Sequence, residues 1–309
     1  MPAARAERAP AKVNLTLRVI GRRADGYHDI ESLVAFAALG DTLALSPGQS
    51  LALAVRGPTA SAAGDVADNL VLKAARALAE RVEGLSLGHF VLTKRLPVAA
   101  GIGGGSADAA AALRLLARAS HIGLDDRRLI EAASATGADV PVCLDPRPRV
   151  MRGIGDVLSD PLDLPRLPAV LVNPAVAVAT KDVFGLLHAA ASPSALAREG
   201  RAGGPCLRQQ RRADLATPSL RGGEDRVALL ASLAREHNDL EAAAIKLQPV
   251  IGDLLTELRE TQSCRIARMS GSGATCFALF DSARAAAAAA RALRARHPTW
   301  WVRATTLGG

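Results

Sequence analysis

Val13, Leu15, Leu17 and Val19 alternate with polar or small residues, the two-residue period of a strand with one buried face. Arg22-Arg23-Ala24-Asp25-Gly26 interrupts that period and reads as a turn. Strand-like segments follow at about 30–36, 42–45 and 51–55, so the chain opens with several strands. At Asp68-Asn69 the period changes: apolar residues recur every three or four positions over Leu70–Arg81, which predicts a capped helix. His89–Lys94 reads as a strand, Ala109–Arg118 as a helix, and about 126–136 as another helix. Gly137–Val142 ends that helix and starts an extended segment. Beyond it a strand is predicted at Ala169–Val172 and a helix near Lys181–Ala189. Two long helical patterns then run through Arg226–Ala244 and Lys246–Thr261. Arg265–Met269 and Thr275–Phe280 read as paired strands, Ala283–Arg296 as a helix, and Trp301–Thr305 as a closing strand.

This order is mixed α+β rather than a regular βαβ alternation, which argues against a doubly wound nucleotide fold. The prolines between Pro161 and Pro168 suggest a boundary, giving an N-terminal part at 1–162 and a C-terminal part at 163–309. A length of 309 residues with 49% hydrophobic positions supports a core in each. The net charge of +8 suits an anionic ligand. Aromatics are only 3% and the arginines are scattered, unlike the clustered basic and aromatic surface of a nucleic-acid binder. The densest basic group, Arg198 to Arg226, also carries Glu199, Asp214, Glu224 and Asp225, and reads as a solvated loop. Cys143, Cys206, Cys264 and Cys276 form no C-x-x-C pair, so neither a zinc site nor a disulfide framework is indicated. Met1–Pro10 has no apolar signal core, and no stretch reads as a membrane span. A reduced, cytoplasmic protein without a membrane or nucleic-acid partner is the expectation.

The chemistry concentrates in Pro97-Val98-Ala99-Ala100-Gly101-Ile102-Gly103-Gly104-Gly105-Ser106-Ala107-Asp108. Consecutive glycines let backbone N–H groups converge on one point, and the helix start that follows adds unsatisfied donors and a positive dipole end. Together they can seat a phosphate. A flexible loop capped by Ser106 fits the glycines alone equally well. The chain has no G-x-x-x-x-G-K-[ST] motif, no zincin motif and no G-x-S-x-G elbow.

Three further segments decide between these readings: Pro10-Ala11-Lys12-Val13-Asn14-Leu15, Gly137-Ala138-Asp139-Val140-Pro141, and Met269-Ser270-Gly271-Ser272-Gly273-Ala274. In this order, with the glycine loop, they resemble the small-molecule kinase superfamily that includes galactokinase, homoserine kinase and mevalonate kinase. Arg23-Ala24-Asp25-Gly26-Tyr27-His28 adds a closer resemblance, to the branch whose alcohol carries a cytidine diphosphate. The resemblance extends from Pro10 to Phe280.

It implies a two-lobed α+β fold, with a ribosomal-protein-S5-like N-terminal lobe and a ferredoxin-like C-terminal lobe closing a cleft. It implies ATP-dependent phosphorylation of a hydroxyl, the 2-hydroxyl of a diphosphocytidyl-bearing methylerythritol. Homoserine, mevalonate or a sugar is the alternative alcohol within the same fold. ATP with magnesium is the implied cofactor pair, no protein metal-ligand set is assigned, and the protein is expected to be a monomer or weak homodimer.

Phosphoryl transfer needs the γ-phosphate positioned, its charge offset and the hydroxyl oriented. A carboxylate can take the hydroxyl proton, and a neighbouring lysine favours its ionised form. The resemblance makes Asp139 that base and Lys12 its partner, with Asn14 close to the reacting groups. An isolated Asp139 would otherwise read as a cap or a turn acid, and an isolated Lys12 as a solvated strand-end lysine. Pro97, Ala99, Ala100, Gly101, Ile102, Gly103, Gly104, Gly105 and Ser106 make up the implied phosphate loop. Asn69 and Lys94 match positions near the adenine or ribose, against plain readings as a helix N-cap and a strand-end lysine. For the cytidine, the family pattern assigns Tyr27, His28 and Phe184, with Thr180 as a polar contact; Phe184 also reads as helix core. Ser272 and Gly273 face phosphates or substrate, or else belong to a tight hairpin. Val98-Ala99-Ala100 departs from the pattern, because many relatives have glycine here and alanine disfavours a positive φ.

Overall fold

The structure is a computed structural model, and it describes residues 5–48, 50–191 and 225–308. Of the Arg198–Arg226 stretch, only Asp225 and Arg226 fall among these. The N-terminal part is built from strands β1 (Arg5–Asn14), β2 (Arg18–Arg22), β3 (His28–Pro47), β4 (Ala52–Arg56) and β5 (Gly88–Thr93). Helices α1 (Leu70–Ala79), α2 (Gly104–Ala119), α3 (Arg127–Thr136) and α4 (Val140–Leu144) pack on them, followed by β6 (Arg149–Gly153) and β7 (Val157–Leu158). The remainder comprises β8 (Leu167–Asn173), α5 (Thr180–Ala191), α6 (Arg226–Ala234), α7 (Glu241–Leu247) and α8 (Val250–Glu260). It ends with β9 (Cys264–Met269), β10 (Cys276–Phe280), α9 (Ala283–Arg296) and β11 (Trp301–Leu307).

The expected α+β architecture is the one the chain adopts. Its strands form one sheet in the order β4-β5-β3-β11-β8-β10-β9, with β1, β2 and β6 also paired to β3. The two halves join in that sheet through β3 and β11, at the pair Ala37–Leu307. One apolar cluster lies between α1–α4 and the N-terminal strands, around Phe90, Leu43 and Leu113. A second lies under α7, α8 and α9, around Leu254, Phe280 and Leu293. A third, around Leu15, Ile102, Leu171 and Phe277, draws residues from both halves and welds them. Each fully buried leucine or phenylalanine contributes ~1.5–3 kcal/mol relative to exposure.

Four elements depart from the periodicity reading. The segments expected at 30–36 and 42–45 are one strand, β3. Gly40 breaks the alternation in sequence but not the strand: a Cβ there would lie 2.3 Å from Ala9 O, so glycine lets β1 approach. The expected extended segment after Gly137 is instead the short helix α4. Pro141 sits in its first turn, where a missing N–H costs nothing. The pattern over Arg226–Ala244 divides into α6 and α7 because backbone bonds to Leu17 intervene, from Leu17 N to His237 O and from Asp239 N to Leu17 O. The pattern over Lys246–Thr261 breaks at Pro249, which caps α8.

Candidate active site

Strand β1 sorts its side chains by the two-residue period. Ala11 and Val13, with Leu15 just beyond the strand, enter the third apolar cluster, whereas Lys12 and Asn14 turn to the other face and line a cleft of about 680 Å³. An irregularity in the β1–β3 register between Pro10 and Lys12 accompanies a change of face: Ala9 belongs to the first cluster, not the third. Asn14 is fixed by two bonds that it donates, from its Nδ2 to Ser32 Oγ at 2.7 Å and from its backbone N–H to Ser270 Oγ at 3.0 Å.

Lys12 Nζ lies 2.7 Å from Asp139 Oδ1, and the two side chains are 4% and 40% exposed. Lys12 is therefore not a solvated strand-end lysine. Asp139 occupies the cap position of α4, yet its carboxylate makes no capping bond. It remains available to the cleft, which both residues line.

The glycine loop crosses directly over Lys12. Lys12 N donates to Ile102 O at 3.0 Å, and a Cβ on Gly103 would stand 3.2 Å from Lys12 Cβ. Gly103, at φ 60°, precedes α2, and no side chain caps the helix; Ser106 is not the cap. The N–H groups of Gly104, Gly105 and Ser106 belong to the first turn, where a helix has no internal partner for them. All three residues line the cleft together with Pro97, Ala99, Ala100, Gly101 and Gly103. Ile102 does not: it is 1% exposed and anchors the loop in the third apolar cluster. Ala99 adopts φ 50°, so the alanine that departs from the family pattern carries the geometry a glycine would adopt freely.

The second glycine turn packs on the first. Ser270 Oγ donates to Gly101 O at 2.9 Å, and Thr275 N donates to Ala100 O at 3.1 Å. A Cβ on Gly101 would lie 2.4 Å from Ser270 O and 2.7 Å from Gly273 O, so only glycine permits this approach. The turn closes the β9–β10 hairpin, with Ser270 N donating to Thr275 O at 2.9 Å, and its backbone also wedges against the glycine loop. Ser272 lines the cleft and shares a 2.8 Å hydrogen bond with Thr180 at the start of α5. Gly273 backs the loop and is not among the lining residues.

Lys94 also lines the cleft, but its ammonium is spoken for. It lies 2.5 Å from Asp41 Oδ2 and 2.7 Å from Asp108 Oδ2, with all three side chains buried. Burial works against the Lys94 charge, yet Asp108 and Asp41 outweigh it and raise Lys94 above its usual value. Burial pushes the Asp108 carboxyl up to about 7, against the pull of Lys94. Asp41 Oδ1 also accepts the N–H groups of Arg95 and Leu96, at 2.9 Å for the latter, fixing the entry to the glycine loop. Neither aspartate stood out in the sequence. An acid among the buried alanines of α2 is a signal that it needs a partner, whereas Asp41 carries no local mark.

Asn69 caps α1 through Val71 N at 3.0 Å and also lines the cleft, so its two sequence readings coexist. At the opposite end His28 stacks on Phe184, with ring centroids 4.4 Å apart and planes at 22°. Thr180 and Phe184 line the cleft. The structure does not bring Tyr27 into it: Tyr27 is 60% exposed and follows the turn in which Asp25 Oδ1 accepts its N–H.

A cleft with a glycine-built helix start and a lysine–aspartate pair across from it is the arrangement of a phosphoryl-transfer enzyme. The GHMP kinases N terminal domain family matches residues 69–145, and the GHMP kinases C terminal family matches residues 220–299. The chain belongs to the GHMP kinase family; it is a small-molecule kinase, and its phosphate donor is ATP. Within that family it is similar to proteins named 4-diphosphocytidyl-2-C-methyl-D-erythritol kinase. One from Rhodopseudomonas palustris (strain BisB18) is 56% identical, over 98% of this chain and 94% of that relative. One from Xanthobacter autotrophicus is 57% identical, over 97% and 98%. A crystal structure of 4-(cytidine 5'-diphospho)-2C-methyl-D-erythritol kinase superposes with a TM-score of 0.73 at 34% identity, covering 99% of this chain and 100% of that one. Homoserine kinase from Cytophaga hutchinsonii shares the fold, with a TM-score of 0.70 at 20% identity, over 100% and 97%.

Proposed function

We infer that the chain transfers the γ-phosphoryl group of ATP to the 2-hydroxyl of 4-diphosphocytidyl-2-C-methyl-D-erythritol, a step toward isoprenoid precursors. The observation that carries the chemistry is the Lys12–Asp139 pair at 2.7 Å, opening into the same cleft as the first turn of α2. Relatives at 56% and 57% identity support the choice of alcohol.

In this reading Asp139 Oδ accepts the proton of the attacking hydroxyl. Lys12 holds that carboxylate and offsets negative charge as the phosphoryl group moves. The N–H groups of Gly104, Gly105 and Ser106 bind phosphate oxygens, with Gly101 and Gly103 shaping the loop. Asn69 and Lys94 lie toward the nucleoside of ATP. The cytidine end of the alcohol lies against His28 and Phe184, with Tyr27 next in sequence, and Thr180, Ser272 and Asn14 complete the acceptor side, with Gly273 behind them in the second glycine turn. Among the described residues no group of three or more His, Cys, Asp or Glu gathers to hold a metal ion. In this reading magnesium is held chiefly through nucleotide phosphates, with Ser106 Oγ, at the first turn of α2, as a protein contact. When bound, the ion neutralises the β- and γ-phosphate oxygens. The cleft lies between a lobe at 1–162 and a lobe at 163–309. Among the described residues no helix is long and apolar enough to cross a membrane, and Cys143, Cys264 and Cys276 are free thiols, which supports a reducing, cytoplasmic setting.

ADP release from MgATP tests this, with 4-diphosphocytidyl-2-C-methyl-D-erythritol, homoserine and mevalonate offered in parallel. Turnover of the cytidylated alcohol alone, abolished in Asp139→Asn, is the expected result. Activity on another alcohol instead would retain the fold and remove the cytidine role of His28 and Phe184.

A further inference from the structure

Arg114 lies in α2, eight residues beyond Ser106, which at 1.5 Å per residue is ~12 Å from the end of the phosphate loop. It is not among the residues lining the cleft, and it is 7% exposed. A buried guanidinium is costly unless its donors are used, and here they are. Arg114 Nη2 donates to Arg8 O at 2.6 Å, Nη1 donates to Cys143 O at 2.6 Å, and Nε reaches Glu7 Oε2 at 3.3 Å.

These partners are not a random selection of neighbours. Arg8 precedes Lys12 by four residues on β1, and Cys143 follows Asp139 by four residues, about one turn of α4. The carbonyls of a five-residue helix have almost no internal donors, so Cys143 O depends on an outside group. One planar fork on the phosphate-loop helix thus spans the strand that carries Lys12 and the helix that begins at Asp139. Glu7 balances its charge and is itself only 15% exposed.

We propose that Arg114 is a positioning residue for the transfer reaction, locking β1 and α4 to α2 so that the Lys12–Asp139 pair keeps its register with the phosphate loop. This rests on the roles assigned above to Lys12 and Asp139. A displacement of about 1 Å in a reacting group can lower a rate by ~100-fold, so a small slip of either element is enough.

The test compares Arg114→Met, Arg114→Lys and Leu116→Ala with the unaltered chain, measuring kcat, both KM values and thermal stability. Leu116 is a fully buried core residue of the same helix, so its variant controls for general loosening of α2. The expected result is a ~10- to 100-fold loss of kcat in Arg114→Met, with both KM values within about threefold. Arg114→Lys keeps the charge but cannot span both carbonyls, so it should fall between Met and Arg. Leu116→Ala should lose stability and keep kcat. Unchanged kcat in Arg114→Lys, or an equal loss in Leu116→Ala, would overturn the proposal; the lysine variant decides it should Arg114→Met not fold. A crystal structure of Arg114→Lys gives a readout without substrate: a Lys12–Asp139 separation still near 2.7 Å, with α4 unmoved, would equally overturn it. Absence of turnover in the unaltered chain would instead remove the functional reading, and the crystal structure would still decide the role of Arg114.

Discussion

Lys12 and Lys94 enter the same cleft and are held in opposite ways. Lys12 meets one carboxylate, Asp139, whose side chain is 40% exposed; Lys94 is enclosed by Asp41 and Asp108, at 0% and 3%. A group that takes a proton from a bound alcohol must be reachable, and only the first pair satisfies that. The second cannot meet a hydroxyl, but it joins the end of β5 to the first turns of α2, on either side of the glycine loop. Two clusters of the same residue types therefore divide the work: one is left open to react, and the other is sealed to hold the loop that the reaction needs.

Removing the open acid should affect rate and spare the fold. Asp139→Asn is expected to lower kcat by ~10³-fold or more in the ADP-release assay, within the range for loss of a general base. Its melting temperature should fall less than that of Lys94→Met, because Asp139 is half-exposed and the amide oxygen can still accept from Lys12. Removing the sealed cation should reverse the pattern. Lys94→Met leaves two buried carboxylates facing each other, and urea unfolding should show a loss of ~3–5 kcal/mol. A Lys94→Met chain as stable as the parent would end the distinction between the two clusters.

A gentler probe uses pH. Burial gives Asp108 a folded value of about 7 against its ordinary 3.8, so the folded state binds this proton more tightly than the unfolded one. Its contribution to stability is complete below 3.8 and is lost as pH rises through about 7. The melting temperature should therefore fall between pH 5 and 8 more steeply in the unaltered chain than in Asp108→Asn. Parallel curves would remove Asp108 from the account. The smallest effect belongs to the loop itself. Ala99 at φ 50° should be relieved by Ala99→Gly, raising stability by ~1 kcal/mol with kcat unchanged. Thermal melting reads this directly, and a lower melting temperature would show that Ala99 is not strained.

What could be read from the chain was what is local. Lys12, Asp139 and Gly101–Ser106 each sit in a short run whose neighbours mark them, α1 follows from spacing and its cap, and α9 from its alanine-rich composition. The Lys94 cluster could not be read in this way. Asp41 is 53 residues from Lys94, and only the pairing of β3 with β5 brings them together. Phe184 and His28 are likewise joined by tertiary packing, 156 positions apart in the chain. The split of one helical pattern into α6 and α7 has the same origin, because the competing backbone partner is Leu17, far away in the chain.

The wedge of the second glycine turn against the first has a consequence for anyone recombining this enzyme. Ala100, Gly101 and Asn14 share hydrogen bonds with Ser270 and Thr275, and Gly101 has no room for a side chain against Ser270 and Gly273. The loop that would grip ATP is thus a composite of two distant stretches of chain. A chimaera that exchanges the C-terminal half for that of another kinase must carry 270–275 along with the N-terminal half, or it will inherit a nucleotide loop with half its mould missing.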